Sequence, residues 1–380
     1  MQAKNVERRQ FLKGSGKAAA AGFTIMAPHL VRGSQANSAL TIGLIGCGNR
    51  GMYVSGIFAR NEFAKFTAIA DIYEDRLKVG SEKFSGAKQF RSHQELLASD
   101  VDAVYIATPA FLHPEHFEAA VKAKKHIFME KPAGVDAKGC KRVLEAARKA
   151  DPTKRISMDF QQRYGTDYRK AHALVNSGEL GGLKMVRAAW LGSGPPIKSG
   201  HPAEQEKIRN WFFYRENSGD MLIEQDCHNI DVIHWFTGMK PIKACGYASR
   251  QVRTNIGNIF DNLAFNLHYE TGLVVSFSAN QFGRGPGWSD VSETFICEKG
   301  TVNVSRQGYK VWRGSSKEVE EVTTKYDITQ DAVNQFIDGA RTNKMENAGI
   351  WGAESTLMGV MALNALVKKQ EQTWEQTLKG

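Results

Sequence analysis

The feature that most constrains this chain is a glycine pattern placed directly after an apolar run. Residues 42–45 read IGLI, and Gly46, Gly48 and Gly51 follow with the spacing G-x-G-x-x-G. The first glycine permits a tight turn, the second lets the main chain approach a pyrophosphate, and the third lets a helix pack on the strand. The pattern predicts a dinucleotide-binding strand–turn–helix unit; a glycine-rich turn without a ligand is the competing interpretation.

A carboxylate follows at the position where such a unit contacts ribose. The apolar run FTAIA, residues 66–70, ends at Asp71, twenty positions after Gly51. An aspartate at this place accepts hydrogen bonds from the ribose hydroxyls and repels a 2′-phosphate. The sequence therefore predicts NAD as the cofactor, in preference to NADP.

Strand-like and helix-like segments then alternate up to about residue 160. The runs VDAVYIATP, HIFMEKP and RISMDF are separated by the helix-like PEHFEAAVKAKK and DAKGCKRVLEAARKA. This alternation predicts an α/β, Rossmann-type doubly wound parallel sheet, which we assign to residues 37–160. Ligands bind at the carboxyl ends of such strands. Two of these ends are chemically marked, one by Thr108, Pro109 and His113, the other by Glu130 and Lys131.

The texture of the chain changes after residue 160. Strand-like runs such as KMVRAAWLG, NLAFNLHYE and LVVSFSANQF are joined by short turns, and the last forty residues read as amphipathic helices. We predict an α+β domain over residues 161–380, with an open, mainly antiparallel sheet and C-terminal helices that pack back on the first domain. The open sheet is also the predicted surface for a homo-oligomer, a dimer or a tetramer.

The N-terminus has the character of an export signal. Arg8 and Arg9 precede FLK and a weakly apolar, alanine-rich run that is too short for a membrane span, and small residues precede Asn37. We predict a twin-arginine signal over residues 1–36, with a periplasmic or otherwise exported product and no membrane insertion beyond the signal. A basic N-terminal tail is the alternative.

Charge and cysteine content exclude other classes of protein. The formal charge is +10, of which residues 1–36 hold +5, so that the rest of the chain carries only +5. No dense basic block with aromatic residues follows, and we expect no nucleic-acid partner. The five cysteines are widely spaced, without a zinc spacing, and are predicted to be buried apolar residues.

The segment EQDCHNIDVIHW, residues 224–235, places several polar groups before an apolar run. On one continuous helix, Glu224, His228 and Asp231 would share a face. That face is open to three interpretations: a metal site, a catalytic pair, or the polar side of an ordinary helix. A metal is disfavoured because the segment lacks an i, i+4 histidine pair and a cysteine partner, so we predict no metal.

These motifs together resemble the family of glucose–fructose oxidoreductase and inositol dehydrogenase, known as Gfo/Idh/MocA. The resemblance covers nearly the whole chain after the N-terminal signal and rests on GxGxxG with Asp71, ATP…H, EKP and a downstream carboxylate-x-x-x-His. It implies that Lys131, His228 and Glu224 form the catalytic group. Because the family usually has aspartate and then glycine where this chain has Glu224 and Asp226, either carboxylate is a candidate to support the histidine.

The resemblance also implies the binding residues. The predicted cofactor contacts come from the glycine loop, the marked strand ends and the QQRY segment: Gly46, Gly48, Asn49, Arg50, Gly51, Asp71, Thr108, Pro109, His113, Glu130, Lys131 and Gln161. The predicted substrate contacts are Arg163, Tyr164, Trp211 and Asp226. An interdomain linker is the alternative for QQRY, and core packing is the alternative for Trp211.

The expected function is an exported, NAD-dependent oxidoreductase acting on the CH–OH group of a carbohydrate or polyol, with a tightly held cofactor. One alternative is a redox-assisted glycosidase or lyase, in which NAD oxidises a sugar hydroxyl transiently and is then restored. A second alternative is a non-catalytic NAD(H)-binding protein. The twin-arginine route carries folded proteins, which motivates the prediction that the cofactor is loaded before export.

Overall fold

The structure, a computed structural model, describes residues 39–283, 288–314 and 316–380. The predicted export signal, residues 1–36, lies outside the described residues and remains a prediction.

Six parallel strands form the first sheet, in the order β3-β2-β1-β4-β5-β6. All members of the central strands β1, β4 and β5 but one are buried, as expected for a sheet covered by helices on both faces. This confirms the predicted Rossmann-type sheet. The strands are β1 (Leu40–Ile45), β2 (Ala64–Ala70), β3 (Lys88–Phe90), β4 (Ala103–Ile106), β5 (His126–Met129) and β6 (Ile156–Met158).

Five helices connect these strands. They are α1 (Asn49–Phe58), α2 (Glu74–Lys83), α3 (His93–Leu97), α4 (His113–Lys122) and α5 (Ala137–Arg148). The strand order reverses between β1 and β4. From β1 the chain proceeds to β2 and β3 on one side of the sheet, and from β4 it proceeds to β5 and β6 on the other side. A crevice for ligands therefore opens at the carboxyl ends of these two strands.

The second sheet has nine strands in the order β14-β13-β12-β11-β7-β10-β9-β8-β15. All neighbouring pairs are antiparallel except β7 and β10, which run parallel. This confirms the predicted, mainly antiparallel sheet. The strands are β7 (Leu183–Leu191), β8 (Lys243–Ser249), β9 (Asn262–His268), β10 (Val274–Asn280), β11 (Asp290–Cys297), β12 (Gly300–Ser305), β13 (Gly308–Arg313), β14 (Val319–Thr323) and β15 (Gln372–Thr373).

One face of the second sheet is buried and the other is open. Side chains along β9 alternate between buried and exposed positions, as a half-covered strand requires. On the open face, Tyr247 is 80% exposed, and Met185 and Val274 are also exposed. The helices of this domain are α6 (Thr166–Asn176), α7 (Glu206–Arg209), α8 (Arg215–Ser218), α9 (Asp220–Glu224), α10 (Cys227–Thr237), α11 (Ile328–Arg341), α12 (Ala348–Lys368) and α13 (Trp374–Lys379).

The C-terminal helix α11 packs on the first domain. The Phe336 ring lies 6.0 Å from that of Phe58 and 5.4 Å from that of Phe128, centroid to centroid, and all three are fully buried. The chain thus returns to its first helix and its fifth strand after β14 of the second sheet. This contact joins the two predicted domains through an aromatic cluster.

Helix α12 (Ala348–Lys368) is long and apolar enough to cross a membrane by length and composition alone. However, 72% of its apolar window is buried inside the protein. It contacts α5 and β6 of the first domain and β8 of the second. Packing in the core is therefore sufficient to account for its composition.

The sequence prediction missed β13 and β14, the two strands at one edge of the second sheet. Strand β14 reads VEEVT and exposes four of its five residues. Charged residues on an edge strand prevent unwanted pairing with other chains, but they also remove the apolar alternation by which strands are recognised.

The aromatic cluster generates a stability prediction. Because Phe336 is fully buried, Phe336→Ala should lower the free energy of unfolding by about 3–5 kcal/mol. Val367→Ala is the control, since Val367 on α12 is 45% exposed, and surface changes cost about 0.5 kcal/mol or less. Urea unfolding followed by circular dichroism measures both. Equal midpoints for the two variants would contradict the packing described for α11.

Candidate active site

A cleft of about 850 Å³ lies at the carboxyl ends of the first sheet. Its floor is formed by the glycine loop and the ends of β2, β4 and β5, and its opposite wall comes from the second domain. That wall includes part of residues 192–214, which we call the crossing segment, because they pass over the Asp71 end of the cleft. Groups from both domains therefore face one volume.

The glycine loop has the shape that a pyrophosphate requires. Gly46 has φ +99°, and a Cβ on it would lie 2.7 Å from the carbonyl oxygen of Ala107. A Cβ on Gly51 would lie 2.1 Å from the Gly46 oxygen, whereas a Cβ on Gly48 would meet nothing within 4 Å. Open space therefore lies beside Gly48 at the N-terminus of α1, where main-chain N–H groups and the helix dipole favour an anion. These residues fit a bound dinucleotide.

Asp71 is held beside this loop by two main-chain donors. Its Oδ2 accepts from the Cys47 N–H at 2.9 Å and its Oδ1 from the Tyr73 N–H at 3.0 Å. Burial raises the pKa of Asp71, and these two donors and Arg76 oppose that rise. The carboxylate is thus oriented by the same turn that would hold the pyrophosphate. The cleft near it also contains Arg76, Lys198 and Arg209.

Arg50 links the glycine loop to the next strand ends. Its Nε donates to Glu130 at 2.9 Å, and its Nη2 donates to Asp159. The Tyr105 hydroxyl donates to the same Glu130 oxygen at 2.7 Å. Burial raises the pKa of the Glu130 carboxyl to about 8. Arg50 therefore holds the ends of β5 and β6 in place on the cleft floor.

Lys131 forms an ion pair with Glu224 across the domains. Its Nζ donates to Glu224 Oε1 at 2.9 Å and also to the Glu224 main-chain oxygen. Burial by itself would lower the pKa of Lys131, but the Glu224 carboxylate outweighs it and the pKa is raised. The ammonium group is thus kept charged at the wall of the cleft.

His228 faces the same end of the cleft in a largely apolar setting. Its ring stacks on Trp190, 5.9 Å between centroids and 19° between planes, and Phe160 meets it edge-on. Within the described part of the chain, no hydrogen-bond partner reaches its buried Nδ1. Burial, reinforced by the charges of Arg306 and Lys131, holds the pKa of His228 well below its ordinary value. The imidazole is neutral and can accept a proton.

The structure gives Glu224 a different partner from the one expected. Glu224 ends α9 and His228 lies in α10, and the two helices are separated at Gln225 and Asp226. The continuous helical face assumed from the spacing is therefore absent, and Glu224 turns to Lys131. Asp226 is fully buried and accepts a hydrogen bond from the Gln225 side chain at 3.2 Å.

Five of the predicted residues lie outside the cleft wall, and three of them make defined contacts there. Arg163 donates to Asp231 at 2.8–3.0 Å and stacks on Trp351 at 4.0 Å. Tyr164 is buried, with its hydroxyl 3.2 Å from the Glu346 carboxylate. The ring nitrogens of His113 lie 2.7 Å and 2.9 Å from the carbonyl oxygens that follow the two marked strands. These residues therefore make structural contacts next to the cleft wall and do not line it.

The other predicted residues fall into two groups. The cleft wall includes Gly46, Gly48, Asn49, Arg50, Asp71, Thr108, Pro109, Glu130, Lys131, Gln161, Trp211, Glu224 and His228. Gly51 lies directly under the glycine loop, and Asp226 is buried next to Gln225. The sequence interpretation thus identified most of the floor of the cleft.

It missed several other residues that the second domain contributes. Arg209 donates to both oxygens of Asp75 at 2.8 and 2.9 Å, and its guanidinium lies 4.1 Å from the Tyr73 ring centroid. Trp190 and Arg306 also line the cleft. No sequence motif marks these residues. Arg209 is 134 positions from Asp75, Trp190 lies within strand β7 and Arg306 lies in the turn between β12 and β13.

Two family models match the chain. Residues 40–158 match GFO_IDH_MocA, described as an oxidoreductase family with an NAD-binding Rossmann fold, and residues 168–303 match the GFO/IDH/MocA C-terminal domain. Together with the glycine loop and the cleft, these matches define an NAD-dependent oxidoreductase. The chain belongs to the Gfo/Idh/MocA family.

Several relatives are similar over much of the chain. Inositol 2-dehydrogenase of Corynebacterium glutamicum strain R is 25% identical over 312 residues, 80% of this chain and 86% of that protein. Myo-inositol 2-dehydrogenase of Thermotoga maritima is 27% identical over 223 residues, 58% of this chain and 62% of that protein. The predicted enzyme class, an NAD-dependent oxidoreductase acting on CH–OH groups, is confirmed.

Solved structures share the fold. Levoglucosan dehydrogenase in complex with NADH and levoglucosan has a TM-score of 0.76 at 17% identity, covering 89% of this chain and all of that one. A probable dehydrogenase from Thermotoga maritima has a TM-score of 0.69 at 23% identity, with 89% and 100% coverage.

The Asp71 geometry generates a cofactor prediction. Asp71→Ala should weaken NAD binding roughly tenfold to a hundredfold, because hydrogen bonds to a charged group are worth about 1.5–3 kcal/mol. NADP binding should weaken less, because a carboxylate that repels the 2′-phosphate is removed. Fluorescence titration with both cofactors measures this, and Glu82→Ala, an exposed carboxylate on α2, is the control. A preference of the unmodified protein for NADP would show that the role of Asp71 is misassigned.

Proposed function

We propose that this protein is an exported, NAD-dependent oxidoreductase that oxidises a secondary alcohol of a sugar or polyol while holding its cofactor tightly. The observation that carries the proposal is that Lys131 and His228, from different domains, line one cleft with the glycine loop and Asp71. The names of the inositol dehydrogenase relatives support a polyol or sugar as the class of substrate.

His228 is the candidate base. Its imidazole is neutral because it is buried beside Trp190 and near cationic groups, and so it can take the proton of a substrate hydroxyl. When bound, NAD supplies the acceptor for the hydride that leaves the same carbon. The residues of this chain remove the proton and orient the alcohol.

Lys131 is the candidate electrostatic catalyst. Its ammonium stays charged next to Glu224 and can donate a hydrogen bond to the oxygen that loses its proton. Glu224 fixes the ammonium through both its side chain and its main-chain oxygen, so the positive charge needs no rearrangement as negative charge develops. In this proposal, Glu224 is a positioning residue for Lys131.

The same residues would serve a redox-neutral reaction, in which oxidation of a sugar hydroxyl is followed by elimination and re-reduction. Product analysis distinguishes the two. A keto product with accumulated NADH supports the oxidoreductase, whereas a released leaving group without net NADH supports the glycosidase or lyase.

The proposal of a tightly held cofactor draws on the crossing segment. This segment contributes Pro195, Lys198 and Arg209 to the cleft wall, and Arg209 ties it to Asp75 beside the Asp71 turn. A dinucleotide at this place would be covered by both domains, which slows its release. Export by a twin-arginine signal over residues 1–36 provides the reason, because free NAD is scarce outside the cytoplasm.

We also propose assembly into a dimer or tetramer through the open face of the second sheet. The exposed side chains of Tyr247, Met185 and Val274 on that face support this proposal. Exposed apolar groups on a sheet are often covered by a second chain.

The catalytic assignment predicts that Lys131→Ala and His228→Ala each lower kcat by roughly a hundredfold to ten-thousandfold, the range for losing a preorganised donor to developing negative charge or a positioned acid–base group. Cofactor content and the circular dichroism spectrum should be retained. Lys122→Ala removes an exposed lysine of α4 outside the cleft and is the matched control. Turnover near that of the unmodified enzyme in either variant would remove that residue from the mechanism.

The retention proposal predicts that protein purified without added cofactor contains close to one NAD(H) per chain. Denaturation followed by absorbance and mass measurement quantifies it. Arg209→Gln should speed cofactor release about three- to tenfold, because an exposed ion pair and a cation–π contact are each worth up to about 1 kcal/mol. Lys207→Gln, two residues away and exposed, is the control. A substoichiometric content together with a normal requirement for added NAD would disprove tight retention.

A further inference from the structure

Arg306 reaches the catalytic end of the cleft from the second domain. It lies in the turn between β12 and β13. Its guanidinium carbon is 6.0 Å from the centroid of the Trp190 ring, the ring on which His228 stacks. All three side chains line the cleft. Arg306 therefore stands close to the proposed site of proton removal and far from the glycine loop along the chain.

The charge of Arg306 has no carboxylate partner in the part of the chain that the structure describes. Among the described residues, no carboxylate oxygen lies within 4.0 Å of its guanidinium, and its Nε is buried without a hydrogen-bond partner. Lys131 at the same end is paired with Glu224. Arg306 thus differs from Lys131 in having no carboxylate partner among the described residues.

The carboxyl group of Glu293 on β11 is near enough to interact electrostatically with Arg306. It accepts a hydrogen bond from the Asn229 side chain at 2.7 Å. Burial raises the pKa of Glu293 to about 8, although Arg306 and Asn229 oppose the rise. Glu293 is buried and held by Asn229, and within the described residues it forms no ion pair with Arg306.

Arg306 is partly buried, and its Nε is enclosed at the cleft wall. A partly enclosed charge is stabilised by a counter-charge, and guanidinium groups in clefts bind carboxylates through paired N–H donors. We propose that Arg306 binds a carboxylate of the substrate, so that this enzyme acts on a sugar acid, such as a hexuronate, in preference to a neutral sugar. The inference rests on the proposed function, since it places the carboxylate in the same substrate. A single unpaired guanidinium matches a monoanion better than a phosphate dianion.

Trp190 is consistent with this substrate class. Its indole lies near both Arg306 and His228 and lines the cleft, where its apolar surface can contact the C–H groups of a sugar. A sugar beside this ring would have one hydroxyl towards His228 and Lys131 and a carboxylate towards Arg306. The three groups would then fix which carbon is oxidised.

The test uses matched substrates: hexoses, the corresponding hexuronates and the corresponding hexose 6-phosphates. The kcat/KM for a hexuronate should exceed that for its neutral hexose by about tenfold to a hundredfold, since a hydrogen bond to a charged group is worth about 1.5–3 kcal/mol. Arg306→Gln should reduce this preference by at least about tenfold, and Arg306→Lys should retain part of it. Better turnover of the 6-phosphates than of the hexuronates would overturn the carboxylate assignment.

Arg313→Gln is the matched control. Arg313 lies on the same hairpin and its guanidinium pairs with Glu179 and Glu320 at the surface. The variant removes the same charge outside the cleft, and the preference for hexuronates should be the same as in the unmodified enzyme. Equal loss of hexose and hexuronate turnover in Arg306→Gln, or a loss of NAD affinity as its main effect, would overturn the inference.

A binding measurement separates this inference from the proposed function. In Lys131→Ala, binding of a hexuronate is followed by the fluorescence of the cleft tryptophans, with and without Arg306→Gln. Hexuronate binding that depends on Arg306, without oxidation by the unmodified enzyme, would support the carboxylate site at Arg306 and contradict the proposed function. Oxidation of neutral sugars with no preference for hexuronates would do the reverse.

Discussion

The ion pair between Lys131 and Glu224 is the interaction on which the catalytic end of the cleft depends. Lys131 follows β5 of the first sheet and Glu224 ends α9 of the second domain, so the pair joins the two domains at the cleft wall. Both side chains are more than four-fifths buried. In such a setting each charge needs the other, since an isolated buried charge is strongly unfavourable. The domain arrangement and the charge state of the site are therefore set together.

The charged groups of the cleft differ between its glycine-loop end and its His228 end. Near the glycine loop, Asp71 is held by main-chain donors, and Arg50 is occupied by the carboxylates at the ends of β5 and β6. At the other end, His228 is kept neutral by burial and by neighbouring cations. A neutral base beside a fixed positive charge is the combination that alcohol oxidation requires. Arg306 adds a second positive charge at this end, with which we propose that a substrate carboxylate pairs.

Apolar packing holds these groups at fixed distances. Helix α11 carries Phe336 into contact with α1 and β5, and α12 lies against both domains. The two halves of the cleft are thus parts of one packed core, not two bodies joined by a hinge. Preorganised groups act with less rearrangement than mobile ones, which is the main electrostatic advantage of an enzyme site.

The sequence by itself determined the Rossmann sheet, the glycine loop, Asp71 and Lys131, because each depends on residues close together in the chain. It also indicated His228, but it gave Glu224 the wrong partner, since the break at Gln225 cannot be read from i, i+4 spacing. Only the tertiary structure decided that Glu224 meets Lys131, that Arg209 ties the crossing segment to Asp75, and that Arg306 enters the cleft. These contacts join positions about a hundred residues apart, and such contacts are set by how the two sheets and the helices pack.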